Sequence, residues 1–69
     1  MKSIIDAKQL KAMRKNAGLS QWQVAKAVQR TQGYISTIEM GYVVPTQKVL
    51  AEIATAINSL NSKLNSTND

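Results

Sequence analysis

The segment that follows Gly18 carries the signals for two short helices with only a few residues between them. Ser20 followed by Gln23 has the spacing of a capping box, in which two side chains satisfy the free backbone N–H groups of a helix start. The apolar residues behind this box fall on one side of a helix, which we expect to span about residues 21–28. These residues are Val24, Ala25, Ala27 and Val28. The sequence therefore predicts a short amphipathic helix, the first of a pair.

The second helix of the pair begins behind Thr31, whose hydroxyl suits an N-cap position. At 100° per residue the apolar side chains fall on one side of this helix, and small or polar residues fall on the other. The apolar side holds Tyr34, Ile35 and Ile38, and the opposite side holds Gln32, Gly33, Ser36 and Thr37. Gly41 ends the helix, because glycine readily adopts the left-handed backbone of a helix stop. Two short amphipathic helices joined by a tight turn are therefore predicted.

Further helices are predicted on both sides of this pair. Asp6 and Gln9 repeat the capping-box spacing, and helix 1 is expected over about residues 7–17, where a glycine stops it. On the other side, Thr46 caps helix 4 after a loop in which Pro45 holds the preceding residue extended. The core positions of helix 4 are Leu50, Ile53, Ala54 and Ile57.

The end of helix 4 has two interpretations. Asn58 could end it before a short fifth helix around Leu60 to Leu64, or the helix could continue, because the three-four spacing of apolar residues persists. Residues 65–69 contain no apolar side chain, and we expect a disordered polar tail there because such residues cannot offset the entropy of ordering. The sequence thus predicts one all-α domain over residues 1–64, a compact bundle of four to five short helices.

Composition narrows the function classes. Nine Lys and Arg against four Asp and Glu give a net charge of +5. This charge favours a polyanionic partner, nucleic acid first, although a merely soluble small protein fits it equally well. The absence of Cys and His excludes disulfides, thiolate metal sites and imidazole bases, so we expect no enzyme, metal or cofactor. No apolar run approaches the roughly 20 residues that span a bilayer, which predicts a cytoplasmic protein without a membrane partner.

Over about residues 7–57 the chain resembles the Cro/C1-type helix-turn-helix family, also called the XRE family, of phage repressors and small bacterial regulators. The residues that carry the resemblance align without a gap. They are Gly18-Leu19-Ser20-Gln21, Val24-Ala25, Tyr34-Ile35-Ser36, Ile38-Glu39 before Gly41, and Pro45. The resemblance implies a lambda-repressor-like DNA-binding fold, in which helix 2 crosses the phosphate backbone and helix 3 lies in the major groove.

The resemblance also implies roles for individual side chains. Gln32 is the first choice for base readout, because its carboxamide can hydrogen-bond N6 and N7 of adenine. Base readout is expected from Gln32, Gly33, Ser36 and Thr37, and phosphate contact from Gln21, Trp22, Lys26, Arg30, Thr31 and Tyr34. The resemblance also implies that the side chain of Gln21 braces the recognition helix. Trp22 has two further interpretations, a protein interface or a partly covered surface residue. For the polar residues of helix 3 the alternative is an ordinary solvated helix face.

Some positions concern structure more than contact with DNA. Arg14 and Glu39 stand where the family often has a partly buried ion pair, and the alternative is that Arg14 binds phosphate. Gln29 and Arg30 depart from the family, which usually has Gly and then a buried Val or Ile. A left-handed Gln29 costs about 1 to 2 kcal/mol, so either the turn bends differently or helix 2 extends into it. Gly33 is unfavourable inside a helix, and three interpretations explain it: sequence drift, close approach of the helix to the groove, or a base that is left unread.

The function predicted from these features is a homodimeric transcriptional repressor that binds a palindromic operator in double-stranded DNA. Dimer contacts are expected from Tyr42, Val43, Val44 and Leu60, and the alternative is that these residues are buried within the monomer. Two other functions share the fold. One is an antitoxin that binds a toxin protein and represses its own operon, and the other is a restriction-modification controller protein.

Overall fold

The computed structural model describes the backbone of residues 6–65 and the side chains of residues 6–62. Within this part of the chain there are four α-helices and no strand. The helices are α1 (Ala7–Asn16), α2 (Gln21–Ala27), α3 (Gln32–Glu39) and α4 (Gln47–Asn65). No helix in this range is long and apolar enough to cross a membrane. The predicted all-α fold class is therefore confirmed, with four helices.

Each helix begins where a side chain caps it. Asp6 and Ser20 each accept a hydrogen bond from the backbone N–H three residues further on, and the glutamine at that position accepts one from the N–H of the cap. Thr31 caps α3 through its hydroxyl oxygen, and Thr46 caps α4 in the same way. Caps of this kind contribute about 1 kcal/mol each. All four predicted helix starts are confirmed.

The four helices share one apolar core. Its members are Leu10, Leu19, Val24, Ala25, Ile35, Ile38, Leu50, Ile53, Ala54 and Ile57. α2 packs on α3, α1 packs on α3 and α4, and α4 also contacts α2. The predicted apolar sides of the helices therefore face one another, except that Ala27, at the end of α2, is exposed. The start of the opposite side of α3, at Gln32 and Gly33, is also exposed.

α4 is one continuous helix. It passes through the exposed Asn58, so the interpretation with a separate fifth helix is wrong. The helix continues because Leu60 still packs against the core one turn beyond the buried Ile57. Asn65, the first residue of the predicted polar tail, is the last residue of α4. The rest of that tail lies outside the described residues, as do residues 1–5 of the predicted domain.

The turn between α2 and α3 is tight because Gln29 has a left-handed backbone, with a φ of 59°. α2 ends at Ala27, one residue before its predicted end, as α1 also does at Asn16. The Arg30 N–H donates to the Ala25 carbonyl at 2.9 Å and closes the turn. Both interpretations that avoided a left-handed Gln29 are therefore wrong, and the turn carries the strain of about 1 to 2 kcal/mol.

Candidate nucleic-acid interface

The side of α3 that faces away from the core differs in accessibility along its length. Gln32 and Gly33 are exposed, whereas Ser36 and Thr37, about one turn further on, are half-buried. The Thr37 hydroxyl donates to the Tyr34 carbonyl at 2.8 Å, so only its oxygen lone pairs and its methyl group remain for an outside partner. Of the four residues predicted to read bases, Gln32 and Gly33 are thus the most accessible.

The Gln32 side chain is held by Gln21, the first residue of α2. Gln32 Nε2 donates to Gln21 Oε1 at 2.7 Å. Gln21 Nε2 in turn donates to Glu39 Oε1 at 3.0 Å. Gln21 therefore links the first residue of α3 to its last. The resemblance implies that Gln21 braces the recognition helix, but it does not name Glu39 as the partner, because 18 residues separate the two and no local pattern indicates the contact.

Arg14 and Glu39 form an ion pair between α1 and the end of α3. Nε and Nη2 of Arg14 donate to the two carboxylate oxygens at 2.7 and 2.9 Å, and Nη1 donates to the Leu19 carbonyl at 2.8 Å. The Arg14 and Glu39 side chains are only 10% and 4% exposed. Because its charge is paired and buried, Arg14 has no accessible donor for the phosphate contact considered as an alternative.

Glu39 is the buried carboxylate on which these contacts converge. Burial by itself would raise its pKa, but hydrogen bonds from Arg14 and Gln21, with the positive charges of Arg14 and Lys11, outweigh burial and hold the pKa below its ordinary value. The side chain is therefore ionised at neutral pH. An ionised carboxylate accepts hydrogen bonds and donates none, so both of its partners must present N–H groups.

Two exposed cations lie against aromatic rings near the turn. Lys26 Nζ lies 4.9 Å from the centroid of the Trp22 ring, and the guanidinium carbon of Arg30 lies 5.2 Å from that of the Tyr34 ring. Such contacts contribute about 0.5 to 1 kcal/mol at exposed sites. Trp22 is more than half exposed, while Tyr34 packs partly against the core. Lys26, on α2, and Arg30, in the turn that follows it, thus remain accessible. Thr31 is the next residue of the chain and caps α3.

The match to known families agrees with this geometry. A family model described as a helix-turn-helix domain matches residues 7–59, which is most of the chain and includes α1, α2, α3 and much of α4. The chain belongs to the helix-turn-helix domain family. Comparisons with curated proteins and with solved structures gave no match. In this helix-turn-helix domain, α2 and α3 are the paired helices, and such a domain suggests a DNA-binding regulator.

The residues predicted for the dimer interface lie in two different elements of the helix-turn-helix domain. Tyr42 and Val44 are 75% and 93% exposed in the loop after α3, and Val43 between them is also exposed. Burial within the monomer therefore does not account for these three residues. Leu60 belongs to α4 and packs partly against the core. No group of His, Cys, Asp and Glu that could hold a metal ion is present in the described part of the chain.

Gly33 is not required by packing within the helix-turn-helix domain. A Cβ at this position would lie 4.0 Å from Thr31 Oγ1 and would meet nothing closer. We expect Gly33→Ala to raise the free energy of unfolding by about 0.4 to 1 kcal/mol, because alanine lowers the entropy of the unfolded chain. Urea denaturation followed by circular dichroism measures the change. Gly41→Ala is the opposite control, since a φ of 83° there strains any side chain, and a Gly33→Ala variant below wild-type stability would contradict the expectation.

Proposed function

We propose that the protein is a sequence-specific DNA-binding transcriptional regulator of the Cro/C1 (XRE) type, and that it represses transcription as a homodimer bound to a palindromic operator. The observation that carries the proposal is the exposed carboxamide of Gln32, which Gln21 holds at the start of the second paired helix. A carboxamide presented in this way suits the donor and acceptor pattern of adenine in the major groove.

In the proposed complex α3 lies in the major groove and the surrounding residues bind the backbone. Gln32 reads a base, Gly33 lets the helix approach closely, and Ser36 and Thr37 read further positions. The phosphate contacts come from Gln21, Trp22, Lys26, Arg30, Thr31 and Tyr34. The net charge of +5 supports this arrangement, because it attracts a polyanion at long range. If Gly33 serves to let α3 approach the major groove closely, the methyl group of Gly33→Ala would keep the helix further from the DNA. That variant would then bind DNA more weakly although its fold is more stable.

Selection of bound duplexes from a random pool tests the proposal. Gln32→Ala is expected to relax the preference at one base position in each half-site, by about 1 to 3 kcal/mol, because a bidentate contact to a base edge is lost. Lys26→Ala is expected to weaken binding to all sequences alike and to reduce the slope of log affinity against log salt by about 0.9. Each variant is the control for the other. An unchanged consensus with Gln32→Ala would remove that residue from base readout, and an unenriched pool with the wild-type protein would refute the proposed function.

The homodimer is proposed to form through the exposed apolar loop after α3, with Leu60 of α4 as a further contact. Tyr42, Val43 and Val44 would then be covered by the second copy, which explains apolar side chains exposed together. Two recognition helices in successive major grooves would place the half-sites about 34 to 36 Å apart.

Val44→Asp is expected to raise the dimer dissociation constant at least about ten-fold, because a carboxylate would be buried in an apolar contact. Sedimentation equilibrium measures the constant, and Asn58→Asp, at an exposed position of α4, is the matched control. Wild-type protein that stays monomeric at every concentration, with and without DNA, would exclude the homodimer.

The same exposed loop favours one second candidate function, an antitoxin that binds a toxin protein through apolar contacts. A toxin seated on Tyr42, Val43 and Val44 would compete with the second copy of this chain. The two functions are separated by isolating the protein from its native host, since an antitoxin would be recovered in a stable complex with the product of a neighbouring gene.

A further inference from the structure

Met40 extends the outward side of α3 by one more residue. It is the C-cap of the helix, its backbone is still right-handed helical, and its N–H donates to the Ser36 carbonyl at 3.0 Å. The spacing of an α-helix therefore applies to Met40 as well. Met40 follows Gly33 by seven residues, which places the two within about 20° of each other around the helix axis. Its side chain is 62% exposed, so an apolar group stands on the side of α3 that faces away from the core.

The side chain of Met40 lies back along this side of the helix, over Ser36. Helical side chains incline toward the N-terminus of their helix, and Met40 thereby reaches the residue four positions earlier. Ser36 Oγ donates a weak hydrogen bond to Met40 Sδ at 3.9 Å. Ser36 is half-buried, whereas Met40 is exposed. The thioether of Met40 therefore covers part of Ser36 and forms the outer surface of α3 at its last turn.

This part of α3 offers apolar atoms to a partner and few hydrogen-bond donors. The Thr37 hydroxyl has its proton committed to the Tyr34 carbonyl, and its methyl group remains. Met40 offers a terminal methyl group and a sulfur that accepts weakly and donates nothing. Neither Thr37 nor Met40 can donate to the O6 and N7 acceptors of guanine. Both suit the C5 methyl group of thymine, which is the apolar group on a base edge in the major groove.

We propose that Met40 is a specificity-determining residue, and that its thioether packs against the C5 methyl group of one thymine in each half-site. The inference rests on the proposed DNA-binding function and adds to it an apolar contact, unlike the hydrogen bonds of Gln32. Eight residues of α-helix separate Gln32 from Met40 and span about 12 Å. At about 3.4 Å per base pair, the thymine should lie within about four base pairs of the base that Gln32 reads.

The alternative role for Met40 is a protein interface shared with the exposed apolar loop that follows it. Gly41, whose φ is 83°, ends the helical path between Met40 and that loop. Met40 itself shares the outward side of α3 with Gly33 and Ser36, which favours the groove. The two roles have different consequences. A contact with a thymine methyl group changes the ratio of affinities for two duplexes, whereas a protein interface affects all duplexes alike.

The test uses the operator selected by the wild-type protein, with each thymine of one half-site replaced in turn by uracil. Uracil pairs with adenine as thymine does and lacks only the C5 methyl group. One replacement should weaken wild-type binding by about 3- to 10-fold, because the burial of one methyl group is lost. Met40→Ala should bind the thymine and uracil duplexes equally. Met40→Leu is the matched control, because it keeps an apolar side chain and should keep the discrimination.

Further controls assign the effect to Met40. Alanine and leucine both favour helix, and the position is exposed, so both variants should fold as the wild type does. Gln32→Ala should lower overall affinity and retain the discrimination between thymine and uracil at this position. Thr37→Ser removes the other methyl group on this side while keeping the hydroxyl, and it too should retain the discrimination. Loss of discrimination in Thr37→Ser but not in Met40→Ala would assign the contact to Thr37 and overturn the inference.

Nuclear magnetic resonance of the complex observes the contact directly. Methionine methyl groups are labelled with carbon-13, and the Met40 signal is identified by its absence in Met40→Leu. A nuclear Overhauser effect is expected between this methyl group and the C5 methyl group of the thymine whose replacement weakens binding. A complex that lacks this effect, or a Met40→Ala variant that weakens both duplexes by one factor and leaves their ratio unchanged, overturns the inference.

Failure of this inference can be told apart from failure of the proposed function. If the wild-type protein selects an operator but binds every uracil duplex as tightly as the original, the role of Met40 is wrong and the DNA-binding function stands. If the wild-type protein enriches no duplex from a random pool, the proposed function is refuted, and the role of Met40 with it.

Discussion

Replacing Glu39 by alanine is expected to lower the free energy of unfolding by about 3 to 5 kcal/mol. The variant leaves the Arg14 guanidinium buried, with Nε and Nη2 deprived of the two carboxylate oxygens they now bond at 2.7 and 2.9 Å. Gln21 loses its acceptor as well. For a domain of this size 1 kcal/mol corresponds to about 4 to 8 °C in melting temperature, so the loss should be evident in a thermal scan.

Urea denaturation measures the effect, with Glu52→Ala as a control that removes an exposed carboxylate from α4. Replacing both partners, as in Arg14→Met with Glu39→Leu, should cost less than Glu39→Ala alone, because no buried charge is left without a partner. A Glu39→Ala protein that melts at the wild-type temperature would show that the ion pair does not stabilise the fold.

The same ion pair makes stability depend on pH. Hydrogen bonds and nearby positive charges hold the Glu39 pKa in the folded state below its ordinary value, against the effect of burial. The unfolded chain therefore takes up the proton at a higher pH than the folded protein does. The contribution of Glu39 is complete above the unfolded pKa of about 4.3 and is lost as the pH falls from there through the lower folded value. Denaturation at a series of pH values should show this loss, and the dependence should be weaker in Glu39→Gln.

Truncating Ile35 to alanine is expected to lower the free energy of unfolding by about 2 to 5 kcal/mol, because it removes three methyl or methylene groups from the core and leaves a cavity. Ile35 is 2% exposed and is among the largest fully buried side chains of the described residues. It is also one of the two buried apolar residues of α3, the other being Ile38. DNA affinity should fall with stability, since the paired helices would no longer be held together.

Chemical denaturation of Ile35→Ala beside Ile35→Val measures this effect. The valine variant removes a single methylene group and should lose about 0.5 to 1.5 kcal/mol. Val44→Ala, at a position that is 93% exposed, should change stability by less than about 0.5 kcal/mol. Equal losses for Ile35→Ala and Val44→Ala would mean that α3 does not pack as described.

The helix starts could be predicted because an N-cap acts within one turn. Ser20 and Gln23 are three residues apart, and their reciprocal hydrogen bonds require nothing from the rest of the chain. The outward position of Gln32 and Gly33 follows in the same way from the apolar residues that share α3 with them. These features depend on the helical period and on neighbours along the chain, which the sequence contains in full.

Other features were misjudged where a local preference competes with packing. Gln29 is a poor residue for a left-handed backbone, but closing the turn lets α2 and α3 bury their apolar sides together, and this outweighs about 1 to 2 kcal/mol of strain. Asn58 is a plausible helix stop by local criteria, yet α4 continues because Leu60 still finds the core. In both places the energy of long-range contacts exceeds a local preference that the sequence shows directly.

Local sequence was sufficient to predict that two helices are paired, where each of them starts and which side of each meets the core. These features follow from hydrogen bonds and from apolar periodicity within a few residues. The packing of α1, α2 and α3 decided the rest of the site. Glu39 meets Arg14 across 25 residues and Gln21 across 18 only when three helices have taken up their relative positions. The orientation of the Gln32 carboxamide is therefore a property of the assembled domain, since it depends on contacts that no single helix contains.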